Sequence, residues 1–290
     1  MRSFFEVMRE SVLHALIHIF AIISTVNPAG VTPRGKKILR SYLRRYLNQE
    51  LEEEYFKLYE NNLHFYEREL RAVEEGELSD ENSLITFQIT NICRQIKKGL
   101  FIEERMVVFL QLLEFVYEDG TISEQESSIV DIVARTFNIS LKEKTNASAF
   151  MLGMRFDKIS PDCFLAIEGE ENIGEASSDY ANYHEWHHMV SRGLRGTIYV
   201  LYVGSTGHIL FMYKGKSPLH FKGRNVVPMR PFLLEPGVNI RGQGMAPLYY
   251  TTIFRKFIRS SFIEEILFEG HGIEYHFKGS DNGVQPMSFS

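Results

Sequence analysis

The feature that most constrains this chain is a change of hydrophobic period near Lys144. Before it, apolar residues recur every three or four positions: Val12, Leu16, Ile19, Phe20 and Ile23, then Phe109, Leu112, Leu113 and Val116, then Ile129, Ile132, Val133 and Phe137. That spacing puts each set on one stripe of an α-helix. After it come short β-branched or aromatic runs at Phe164 to Ile167, Thr197 to Val203, His208 to Tyr213, Leu219 to Phe221 and Phe232 to Leu234. Turn clusters such as Gly204-Ser-Thr-Gly207 and Glu235-Pro-Gly237 separate them, the pattern of an antiparallel β-sandwich or barrel. The expected fold class is therefore α+β and multidomain: an all-α bundle over 1–143, a β domain over 150–248, a connecting helix over 251–263 capped by Thr251 or Thr252, and a terminal β-hairpin over 264–290. Leu141 to Ala149 reads as a polar bridge, and Glu168 to Gly196 as a loop with one helical turn.

Composition narrows the function classes. With 44% hydrophobic and 24% charged residues the chain can bury a core. Its formal charge of −5, with 18 Lys+Arg against 23 Asp+Glu in residues 1–150 and 14 against 14 in 151–290, gives no footprint for a phosphate backbone, so no nucleic-acid partner is expected. Cys93 and Cys163 stand far apart, which fits a reducing, cytoplasmic compartment rather than a disulfide scaffold. The apolar stretch Val12 to Val26 is broken by His14 and His18 and falls short of the roughly 20 residues of a membrane span.

A weak internal repeat at an offset of 91 aligns Ile19, Ile22, Val31, Thr32, Ile38, Leu39 and Tyr46 with Leu110, Leu113, Ile122, Ser123, Ile129, Val130 and Phe137. Each copy reads as a helix, a turn with Gly30 or Gly120, a Thr or Ser cap, and a second helix.

Four motifs bear on chemistry. His184-Glu185-Trp186-His187-His188 satisfies H-E-x-x-H, in which two histidines one helical turn apart bind zinc while the glutamate acts on a water; with no evident third ligand it reads mainly as a His-rich turn, a zincin-like decoy. Gly30 to Lys37 imitates a phosphate loop but lacks the hydroxyl and the preceding strand. Asp119 to Glu126 matches the second half of an EF-hand loop, so Glu118, Asp119 and Glu126 offer at most a weak cation site beside a capping role for Glu126. Arg241-Gly-Gln-Gly244 is a Gly-rich turn with one cation.

The helical region, with Glu118-Asp-Gly-Thr-Ile-Ser-Glu-Gln-Glu126 echoed by Asn27 to Pro33, resembles the TerB-like tellurite-resistance domain, an all-α module with acidic inter-helix turns. Gly196 to Val203 through Gly237-Val-Asn-Ile-Arg-Gly242 is similar to a forkhead-associated (FHA) β-sandwich, although that family's Ser-x-x-His element is not found after Arg241. The tail Gly272 to Ser290 resembles the opening hairpin of ABC transporter ATP-binding domains. That likeness implies an adenine-stacking aromatic at Tyr275 or Phe277, giving weak nucleotide binding, with the phosphate loop lying further on.

Together these resemblances imply a non-catalytic regulatory region of an ABC-type transporter ATPase, cut at the start of its nucleotide-binding domain. No cofactor is expected in this chain, with ATP and Mg serving the complete protein. Expected partners are the ATP-binding and transmembrane domains, in cis or in trans, or a second copy in a homodimer, at the inner face of the membrane. The rival expectations are a zinc-dependent hydrolase using His184, Glu185 and His188, and a stand-alone TerB-like metal or stress-response sensor.

Overall fold

A computed structural model describes residues 10–26, 36, 39–40, 43–44, 47–74, 81–117, 120–153, 156–173, 183–258, 270–276 and 283–289. The chain is α+β. Among the described residues, helices come first: α1 (Glu10–Val26), α2 (Gln49–Glu74), α3 (Glu81–Gly99), α4 (Ile102–Val116), α5 (Glu124–Phe137) and α6 (Leu141–Leu152), with helical residues also at 36, 39–40 and 43–44. Two sheets follow, from β1 (Phe164–Glu168), β2 (His187–Val190), β3 (Thr197–Val203), β4 (His208–Lys214), β5 (Leu219–Phe221), β6 (Arg224–Asn225), β7 (Pro231–Leu234), β8 (Asn239–Gly242) and β9 (Leu248–Tyr249). A short helix α7 (Tyr250–Phe254) and a separate hairpin, β10 (Gly270–His276) with β11 (Gly283–Phe289), complete the described elements.

α1 is the axis of the helical layer. It touches α2, α3, α4 and α5, and Leu13, Leu16, Ile17, Ile19, Phe20 and Ile23 are all buried. A helix that is apolar around its circumference belongs inside a bundle, which accounts for the long apolar stretch. Its polar residues are met by tyrosines of α2. His14 lies edge-on to Tyr55, His18 Nδ1 is 3.0 Å from Tyr66 Oη, and Tyr59 Oη donates to Ser24 Oγ at 2.8 Å. Burial, and then the neighbouring His14, lowers the pKa of His18. Among the described residues no helix is long and apolar enough to cross a membrane.

The larger sheet has the order β2-β1-β3-β4-β7 and the smaller β6-β5-β8-β9. Side chains alternate across a strand, and here the alternation sorts residues between two cores. Phe164, Ala166, Tyr199, Leu201, Leu210 and Met212 join the helices in the first core. Leu165, Ile167, Ile198, Val200, Ile209 and Phe211 face the smaller sheet, where Leu219, Phe221, Ile240 and Leu248 close the second. The architecture is helices, sheet, sheet. A central sheet covered on both faces needs continuous apolar strands, and β1, β3 and β4 supply them.

Three sequence expectations are corrected. The larger sheet is mixed rather than antiparallel, because β2 runs parallel to β1 with Leu165 opposite His187 and Glu168 opposite Val190. The stretch 141–149 is helix, not a bridge: Ser140 and Glu143 form a capping box at its start, Gly153 ends it at φ +66°, and Ala147, Ala149 and Phe150 are buried. Phe150 and Phe164 then pack with Phe156, which lies 4.5 Å from Tyr199 between ring centroids, so aromatic rings span the seam between helices and sheet. Finally, α7 starts at Tyr250 after Tyr249, so neither threonine is its cap, and it runs for 5 residues before turning. It is anchored by the fully buried Ile253 and by stacking of Phe257 on Tyr202.

Candidate functional site

The H-E-x-x-H residues do not share a helix. His184 and Glu185 lie exposed in a single 3-10 turn, Tyr183–Glu185. Trp186 then plunges into the first core, 4% exposed and edge-on to Phe164 with centroids 4.5 Å apart, and the chain leaves it as β2. With one histidine in a turn and the other in a strand, the one-turn spacing that lets two imidazoles converge on zinc is missing. His187 faces Phe257 at 5.4 Å, while His188 Nδ1 sits 3.9 Å from Glu168 Oε2. Glu168 is 3% exposed, so this is a buried carboxylate beside a partly exposed imidazole at the edge of the sheet. Among the described residues no three His, Cys, Asp or Glu side chains are grouped to hold a metal.

The acidic turn is resolved by local hydrogen bonding at one of its three carboxylates. Glu126 Oε2 accepts from Ser123 N (2.8 Å) and Ser123 Oγ (3.0 Å), and Ser123 Oγ accepts from Glu126 N (3.2 Å). This is a reciprocal capping box that satisfies donors in the first turn of α5. Glu126 is 3% exposed there. Glu118 and Asp119 lie outside the described residues, as do the first repeat's turn at 27–35 and Phe277. Tyr275 stands on β10, opposite Val284 of β11.

Neither cysteine is set up as a nucleophile. Burial pushes the Cys93 thiol up to about 12. Burial and then the adjacent Asp162 carboxylate push Cys163 up to about 11, so both stay protonated at neutral pH.

A feature that sequence reading missed is the loop end of the sheets at which β3 begins. The Ser191–Gly196 loop is wedged between two turns. A Cβ on Gly193 would fall 2.1 Å from Gly244 O, and one on Gly196 would fall 2.4 Å from Lys214 O, so only glycine permits this approach. Tyr213 Oη donates to Arg195 O at 2.6 Å and fixes the loop. The exposed side chains Arg192 and Arg195 of this loop, Lys216 of the turn after β4 and Arg241 near the end of β8 are thereby gathered at one end of the sheets. The signal lay in the sequence: residues 183–258 hold ten lysines and arginines against two acids, Glu185 and Glu235. Acidic stretches at 151–182 and 259–290 offset it, so residues 151–290 are neutral as a whole.

No family model, curated protein or solved structure matches this chain.

Proposed function

We propose that this chain is the non-catalytic regulatory and binding region of an ABC-type transporter ATPase, its helical layer TerB-like and its paired sheets FHA-like. The observation supporting the reading is the order of parts: a helical layer, two stacked sheets, and then a separate two-stranded sheet whose first strand carries Tyr275. Under this reading β10 and β11 open the nucleotide-binding domain, and ATP and Mg belong to the complete protein. The ATP-binding and transmembrane domains are the partners, in cis or in trans. The parallel β1–β2 pair is a local addition to an otherwise antiparallel FHA-like pattern.

Mg-ATP hydrolysis should accompany the native protein purified from its own cells, while the 290-residue chain alone hydrolyses none. Calorimetric titration of the isolated chain with Mg-ATP should show no micromolar binding. Stacking of adenine on one aromatic contributes about 1–3 kcal/mol, against about 8 kcal/mol for a micromolar complex. Near-stoichiometric zinc surviving mild chelation, together with a hydrolytic activity of the isolated chain abolished by Glu185→Gln, would overturn the proposal in favour of a metallohydrolase.

A further inference from the structure

We infer that the loop end carrying Arg192, Arg195, Lys216 and Arg241 is a docking surface for an anionic lipid bilayer. Strand register brings the components together. Glu168 pairs with both Val190 and Thr197, and Thr197 with Lys214, so the end of β2, the start of β3 and the end of β4 share one edge of the molecule. Val226 N donates to Leu219 O and Met229 N to Tyr213 O, which returns the 227–229 loop to that same edge.

The edge has two properties at once. Its four named cations are exposed, and among the described residues the exposed acids that register brings there are Glu170 and Glu171 in the turn after β1. On the same edge stand two aliphatic side chains that are half exposed: Val190 is 53% exposed and Val227 50%. Positive charge alone would suit any polyanion. Aliphatic tips on the same edge as the charges suit a surface that is anionic outside and hydrocarbon beneath, where cations meet headgroups and apolar tips enter the acyl boundary. Tyr213 and the glycine contacts hold the loops in place, so docking needs no rearrangement. This surface is independent of the accessory-region reading, and the test below leaves that reading untouched.

The test is co-sedimentation of the full chain with phosphatidylcholine vesicles, with and without phosphatidylserine. Binding is expected only with phosphatidylserine and should weaken as salt shortens the Debye length. Each charge near an anionic surface is worth about fivefold in binding, so Arg192→Glu with Lys216→Glu should reduce it at least tenfold. Lys216→Glu alone, on an exposed turn, serves if the pair does not fold. Val190→Ser with Val227→Ser should also weaken binding, whereas Lys222→Glu, beyond the far end of β5, should not. Equal binding to neutral vesicles, no binding at low salt, or full binding by the charge-reversed chain overturns the inference. So does an unchanged affinity in the valine variant accompanied by tighter binding of single-stranded DNA, which would make the edge a general polyanion site.

Discussion

The two faces of the central sheet are buried by different means. The face toward the helices is lined by rings and punctuated by polar groups: Phe164 and Tyr199 meet Phe150 and Phe156, His208 is half-buried at the start of β4, and Asn146 Oδ1 accepts from Ser160 N at 3.0 Å. The face toward the smaller sheet is mainly apolar, with His187, Tyr202 and Tyr213 as its polar side chains, and is closed by short strands. The first face joins the helical layer to the β region, and the second only caps it. Destabilising the first should unfold everything, while the second should respond more locally.

The largest expected effect comes from Phe156→Ala. Phe156 is fully buried among Phe150, Phe164 and Tyr199, and removing such a ring costs about 3–5 kcal/mol. In urea, helical ellipticity and the fluorescence of Trp186, the single tryptophan, should be lost in one shifted transition. Two separated transitions would mean the seam does not couple the layers. Leu248→Ala, in the second core, should cost about 2–3 kcal/mol, read as faster hydrogen exchange of the β8 and β9 amides, with the helical signal moving less. Equal destabilisation by both readouts would erase the contrast between the faces.

The contrast also explains what could be read in advance. β1, β3 and β4 were legible because a strand covered on both sides must be apolar throughout, and the hairpin β10–β11 because alternation and a turn cluster are local signals. β2 was not. Its sequence His187-His-Met-Val is short and polar, and its place is set by β1 and by the Trp186 anchor, partners distant in sequence. α6 was misread because its buried stripe is small, with Asn146, Ala147 and Ala149 where larger apolar residues would have announced a helix. Of the candidate site residues, His184 and His188 had the right spacing but not the secondary structure that gives the spacing its meaning.

Two smaller effects sharpen the same comparison. Ser123→Ala removes one half of the α5 capping box and should lower stability by about 1 kcal/mol in thermal unfolding. Replacing Glu126 with Gln should cost less if capping alone is involved. The last concerns pH. Burial lowers the pKa of His18 and of His208 from 6.5, so both favour the neutral ring when folded. Below about 6.5 the unfolded chain binds more protons. The stabilisation is therefore complete above that pH and is lost as pH falls through the folded-state values. The unfolding midpoint should decline between pH 7.5 and 5.5, and the pair His18→Asn with His208→Asn should flatten that decline. A wild-type midpoint that does not move would show that neither ring is held neutral.

The central position of α1 has a consequence for synthesis. The helix is complete at Val26, yet its last packing partner, α5, ends only at Phe137. Translation at about 5–20 residues per second leaves an all-round apolar helix without its bundle for on the order of ten seconds on every ribosome. For that interval the nascent chain presents this apolar surface before the helices that cover it have been made, so its yield in a foreign host should depend on the supply of co-translational chaperones more than on the stability of the finished fold.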